Sequence, residues 1–240
     1  MPTLRFKWLS GLCRAYHGDR RAVQVGGERM APSLKTLVLA AAVVVGLPLT
    51  PPAFAHHFMG GQLPSTAWQG LLSGLGHPII GIDHFAFTIG VGLMSQLAGR
   101  IVLLPLLFVT GSVLGCCIHI YGFDLPWPES VIGLTVAATA TIVATRSRIP
   151  TVVLALLFGI AGLFHGYAYG ESIVGAEVAP LSAYIIGFAV IQYCVAVGSG
   201  VLLRLIVGRG YVSEATLMRL AGGGMALVSL LTLVNVALTR

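Results

Sequence analysis

The stretch "IVLLPLLFVTGSVLGCCIHI", Ile101 to Ile120, carries no lysine, arginine or acidic residue. About 20 apolar residues, each adding 1.5 Å of helix, cross the roughly 30 Å hydrocarbon core of a bilayer. No water is available there to satisfy a bare backbone, so such a segment must be helical. Similar runs recur on both sides, and spans are predicted near 79–98, 101–120, 129–145, 150–168, 181–203 and 215–238. Composition agrees: 56% of residues are hydrophobic, 9% are charged, and mean hydropathy is +0.91. Soluble domains carry about 25% charged residues. The fold class that follows is all-α, a polytopic membrane helix bundle of six transmembrane helices. Residues 64–76, "PSTAWQGLLSGLG", read as a short helix lying before the first span or dipping into the membrane.

The front of the chain reads differently. "MAPSLKTLVLAAAVVVGLPLTPPAFAHH", from Met30, has a positive residue at Lys35, a short apolar core over 36–47, helix-ending Pro48, Pro51 and Pro52, and an A-x-A site at Ala53–Ala55. These are the parts of a cleaved secretory signal peptide, and an uncleaved membrane helix is the alternative. Cleavage would leave His56 and His57 at a new amino terminus. The expected organisation is a polar leader or early-called start over 1–29, a signal peptide over 30–55, an outer segment with a short helix over 56–78, and a transmembrane bundle over 79–240. The pair Arg20-Arg21 does not lead straight into an apolar run, which speaks against a twin-arginine signal.

Charge sets the orientation. With the mature terminus outside, the inner loops carry Arg100, Arg146, Arg148, Arg204 and Arg209, while the outer loops carry Asp124, Glu129, Glu171 and Glu177 and no lysine or arginine. That asymmetry is the positive-inside pattern and requires an even number of spans. The expected location is the bacterial cytoplasmic membrane. The net charge of +6 is concentrated in the first 35 residues; from His56 onward seven arginines meet six acids. Basicity therefore gives no support to nucleic-acid binding. Cys13, Cys116, Cys117 and Cys194 form no CxxC pair and read as packing residues. Glycines four apart, Gly70/Gly74, Gly111/Gly115 and Gly162/Gly166/Gly170, suit close helix approach.

The topology gathers the polar residues at one depth. His77, Asp83 and His84 in "GHPIIGIDHFAF" lie at the outer end of the first span, and His165 and Glu171 in "LFHGYAYGES" at the outer end of the fourth. Ionisable groups are expensive in lipid and normally face a cavity or one another. Imidazoles and carboxylates without thiolate suit nickel, cobalt, zinc or copper. Pro78 suits a first helical turn, which makes His77 a cap or the residue before it. Residues seven apart share a helix face, so His77 and His84 can point the same way. Asp83 either binds metal or orients an imidazole, and Gly81 gives room for a neighbouring helix or an ion. Tyr167 and Tyr169 also fit an interfacial aromatic belt. Glu129, opening the third span, serves either as a ligand or as a helix N-terminal acid. His119 is a weaker candidate.

At these residues the chain resembles the HupE/UreJ family of nickel and cobalt permeases. "HPIIGIDH", His77 to His84, is similar to the family's HPxxGxDH signature, and "FHGYAYGE", Phe164 to Glu171, to its histidine–glycine segment ending in Glu. The leader followed by His56-His57 and the acid at Glu129 are also family-like. The stretch from Met59 to Phe87 looks most like cyanobacterial-type members. The resemblance covers about residues 30–240. It implies uptake of Ni²⁺ or Co²⁺, with His77, Asp83, His84, His165 and Glu171 as metal contacts and Glu129 beside them. The better-known nickel–cobalt transporter family has four residues between its His and its Asp-His, whereas five stand here, Pro78 to Ile82.

The expected function is a secondary permease rather than an enzyme. His56 and His57 gather metal outside, and the cation is substrate, with no permanent cofactor. No P-loop is present to couple ATP. Protonation competes with metal at histidine, so uptake should depend on outside pH. The expected partners are a divalent metal ion and the lipid bilayer. The rival class is a membrane metal-binding accessory or sensor protein that does not transport. Histidine boxes of membrane hydroxylases are absent, and no histidine follows Ser199 in "VGSG" as a rhomboid-type protease requires. Nickel versus cobalt, coupling, homo-oligomerisation and any metallochaperone partner are not legible.

Overall fold

The computed structural model of the chain describes residues 62–239. The signal peptide, the leader, His56 and His57 lie outside them. The described residues form seven helices: α1 (Ala67–Ile80), α2 (Ile82–Leu97), α3 (Leu103–Ile120), α4 (Pro128–Thr145), α5 (Thr151–Glu171), α6 (Val178–Gly208) and α7 (Glu214–Thr239). Helices α3 to α7 are each long and apolar enough to cross a membrane; α1 and α2 together qualify as one further span, bent by 78°. Their outward faces are apolar, with Leu106, Leu114, Leu156, Ile160, Ile186, Leu202 and Leu230 exposed, as lipid contact requires.

Local chemistry explains the helix ends. Thr66 caps α1 by accepting the Gln69 amide, 3.2 Å. Pro128 occupies the first turn of α4, where a missing N–H costs nothing. Gly99, Gly122, Gly175 and Gly210, just beyond α2, α3, α5 and α6, all have positive φ, which glycine adopts without steric cost. Arg146 takes the same left-handed conformation after α4, at φ 53°.

Glycines join the helices in pairs. Gly70 lies against Pro180 and Gly74 against Tyr184 and Phe188; further along, Gly92 lies against Ala196 and Gly200 against Gln96. Positions rise together along both chains, so α1 and α2 each run in the same sense as α6. That shared sense makes α1–α2 one broken span lying along the 31-residue α6. Gly111 and Gly115 meet Gly159 and Leu163, while Gly162 and Gly166 meet Phe108 and Ser112, which sets α3 parallel to α5. Gly133 meets Leu233 and Gly222 meets Ala144, so α4 and α7 are antiparallel. These three pairings match the alternating direction of six spans.

The break in the first span departs from expectation. His77 and Pro78 close α1 rather than opening the span, and the chain turns at Gly81, φ −69° and ψ 98°. A proline this near the end of a helix removes a single backbone bond, and Gly81 then terminates the helix. A Cβ on Gly81 would meet the His84 Cδ2 at 2.7 Å. The room expected there for a neighbouring helix or ion is taken by the His84 ring itself.

Candidate functional site

Three histidines converge where the first span breaks. His77 comes from the last turn of α1, His84 from the first turns of α2, and His165 from α5; they are 4%, 1% and 0% exposed. Polar rings so deeply buried need partners. His84 and His165 face each other through their Nδ1 atoms at 2.9 Å. His165 Nε2 lies 3.1 Å from the Thr135 hydroxyl of α4, which donates to the Ile132 carbonyl at 2.8 Å. The rings of His77 and His84 are 6.0 Å apart. They meet because the chain bends between them, not because a continuous helix returns them to one face.

Hydroxyl groups complete the shell. His77 Nδ1 lies 3.0 Å from both the Ser172 Oγ and the Tyr184 hydroxyl. Each of those hydroxyls also donates to the Tyr169 carbonyl. The Tyr169 ring packs between His77, 4.9 Å, and His84, 4.5 Å. Its own hydroxyl accepts from Gln192 Nε2 at 2.9 Å. Toward the opposite side Phe87 covers the His165 ring at 4.5 Å, backed by Phe108. Imidazoles, hydroxyls and a ring face thus share one enclosed, low-dielectric site, where each polar contact is stronger than in water.

The carboxylates sit nearer the surface. Asp83 Oδ1 accepts the His84 backbone N–H at 2.8 Å, and the same oxygen lies 4.0 Å from His84 Nε2. Glu171, the last residue of α5, and Glu129, in the first turn of α4, are both exposed. Among the described residues no three His, Cys, Asp or Glu side chains are disposed to hold one metal ion together. The belt reading of the tyrosines fails: Tyr169 is 0% and Tyr167 7% exposed. Tyr167 instead packs on His119 at 4.3 Å and donates to Asp124 at 3.3 Å. Cys116, Cys117 and Cys194 are free thiols.

Thr135, Ser172, Tyr184 and Gln192 were not among the residues singled out from sequence. Serine and threonine are common inside membrane helices and carry no spacing signal. Gln192 did carry one, since an amide in "FAVIQYCVAV" must find a partner in the bundle.

A sequence model described as HupE / UreJ protein matches residues 38–232. The chain belongs to the HupE/UreJ family. It is also 34% identical, over 189 residues, to Protein HupE of Rhizobium leguminosarum bv. viciae, an alignment covering 77% of this chain and 92% of that protein. No solved structure matches it. The segments that suggested the family, His77 to His84 and Phe164 to Glu171, both fall inside the matched region and both deliver histidines to the buried site. A multi-pass membrane protein is the common ground of family and fold.

Proposed function

We infer that this protein is a secondary permease that carries Ni²⁺ or Co²⁺ inward across the cytoplasmic membrane. The family is associated with nickel and cobalt uptake and with hydrogenase and urease maturation. The observation that carries the reading is the burial of His77, His84 and His165, from three separate helix segments, at the break in the first span. Neutral imidazoles are the ligands that borderline divalent cations prefer, and a broken span is a place where packed helices can rearrange.

In this reading the exposed carboxylates Glu129 and Glu171, with His56 and His57, raise the local concentration of cation at the outer face. Asp83 and His84 receive it, and His77 and His165 complete its passage into the bundle. The single hydrogen bond between His84 Nδ1 and His165 Nδ1 holds the site closed until a cation replaces it. No lysine or arginine stands in the predicted spans before their inner ends, which suits a cation route. Accumulation of radioactive nickel and cobalt in cells expressing wild type or His84→Ala tests this. Uptake by wild type with at least tenfold less in the variant, at equal membrane abundance, supports it; equal uptake refutes it.

A further inference from the structure

We propose that the cation leaves the histidine site along the seam between α2 and α6, with the bare amide oxygen of Gln192 as its first oxygen ligand and the cavity at the far ends of those helices as its exit. This rests on the permease reading for the identity of the cargo and its inward direction.

Close contacts fix the register of the two helices. Gly92 of α2 lies against Ala196 of α6, and Gly200 of α6 lies against Gln96 of α2. Both helices run in the same sense. Gln192, one turn before Ala196, therefore stands level with Thr88, one turn before Gly92. Thr88 is itself one turn, about 6 Å, past His84. By the same count Ser199 stands level with Ser95. Beyond that pair a cavity of about 390 Å³ opens between the ends of α2, α6 and α7, with Gln96, Leu203, Arg204 and Glu214 in its lining. Two polar steps thus separate the histidines from the cavity: Thr88 with Gln192, then Ser95 with Ser199.

Donor accounting shows what these groups present. Gln192, Thr88 and Ser95 are all fully buried. A hydroxyl has one hydrogen and two lone pairs. Thr88 spends its hydrogen on the His84 carbonyl at 2.8 Å and Ser95 on the Val91 carbonyl at 2.6 Å. Ser199 lies 2.9 Å from the Ala196 carbonyl and 3.2 Å from the Ile89 carbonyl across the seam. Gln192 Nε2 donates to the Tyr169 hydroxyl at 2.9 Å, while its Oε1 has no hydrogen-bond partner among the described residues. A buried amide oxygen without a donor costs folding free energy. Holding Tyr169 needs only Nε2 and leaves that cost unexplained. What the steps offer is oxygen lone pairs, the polarity that suits a cation. Helix α2 carries no lysine or arginine, and α6 carries none before Arg204 at the cavity.

The order of ligands also suits release. Nickel and cobalt take imidazole readily, whereas amide and hydroxyl oxygens suit harder cations. Conduction needs sites that an ion can enter and also leave. Histidines followed by neutral oxygens supply that descent. The seam is shut in this structure: Gly92 packs on the α6 backbone at Ala196, and the Ser199–Ile89 hydrogen bond crosses it. Passage requires α2 and α6 to part below Gln192.

The test uses the full-length protein in liposomes with a metal-sensitive dye inside, together with Ni²⁺ titration of the same preparations. Gln192→Leu keeps the bulk and removes the oxygen. Expected is Ni²⁺ affinity within threefold of wild type with flux at least tenfold slower. Wild-type flux in Gln192→Leu overturns the route. Equal losses of affinity and flux overturn it too, and make Gln192 a prop of the histidine site through Tyr169. A wild type that binds Ni²⁺ without any flux refutes the permease reading, and this route with it. A second measurement stands even where Gln192→Leu does not fold. With the native cysteines replaced by alanine, Ser199→Cys and Gly198→Cys are compared in inverted membrane vesicles, using a cationic, membrane-impermeant thiol reagent. Gly198 is the control, since nothing lies within 4 Å of an added Cβ there. Ser199→Cys should react at least tenfold faster than Gly198→Cys, and Ni²⁺ should slow it. Equal rates, or a rate that Ni²⁺ leaves unchanged, contradict the route.

Discussion

His84 and His165, 81 residues apart in the chain, meet through their Nδ1 atoms at 2.9 Å. A direct bond between two buried imidazoles commits one nitrogen of each ring to the other. In the proposed permease a cation that takes either Nδ1 must first break this contact, so closure and metal binding compete for these two atoms.

That competition gives a first expectation. His165→Ala and His84→Ala should each reduce nickel accumulation at least tenfold, and the double variant should be no worse than either single one. Residues that act as a unit are strongly non-additive. Multiplying losses in a double-mutant cycle of uptake rates would show that the two rings act separately.

The rim carboxylates should behave otherwise. Glu129 and Glu171 are exposed, so Glu129→Gln and Glu171→Gln remove attraction for the cation without disturbing the buried rings. The half-saturating metal concentration should rise several-fold at low salt, with maximal rate unchanged and the difference shrinking as salt screens the charge. Uptake kinetics at two ionic strengths decide it. A collapse of maximal rate would place these acids inside the transit site.

Tyr184 tests the support of His77. Its hydroxyl lies 3.0 Å from His77 Nδ1 and 2.9 Å from the Tyr169 carbonyl. Tyr184→Phe removes about 1 kcal/mol of hydrogen bonding, equivalent to roughly a fivefold weaker apparent affinity. Ser172, also 3.0 Å from His77 Nδ1, limits the damage, and the joint variant with Ser172→Ala should lose more than the product of the two. Concentration-dependent uptake measures both.

The broken span depends on close backbone approach. A Cβ at Gly74 would stand 2.9 Å from the Tyr184 carbonyl carbon and 3.0 Å from the Phe188 nitrogen. Gly74→Val should push α1 away from α6, cost about 1–3 kcal/mol and lower the thermal midpoint in detergent. Gly198 has nothing within 4 Å of its added Cβ, and Gly198→Ala should leave the midpoint unchanged or higher. Equal destabilisation of both would contradict the packing account.

The spans were readable because length and apolarity are one-dimensional properties. The six runs predicted from sequence coincide with α2 through α7 to within a few residues, except that α6 extends further at both ends. The glycine pairs were readable too, since only small residues permit the approaches seen at Gly74 and Gly166. The break was not. Pro78 is compatible with either the first or the last turn of a helix, and only packing against α6 selects the last. The convergence of His77 with His84 was expected for the wrong reason, helical periodicity, when a bend produces it. The hydroxyl shell of Thr135, Ser172 and Tyr184 depends on which faces α4, α5 and α6 turn inward, and residue spacing does not determine that.

The central claim is movement of metal through the protein. Purified protein in liposomes, with a metal-sensitive dye trapped inside and Ni²⁺ or Co²⁺ added outside, tests it most directly. The account predicts quenching with wild type, at least tenfold slower quenching with His84→Ala, and none in empty vesicles. Tight metal binding by wild type without any flux would contradict it and would make the protein a metal-holding accessory.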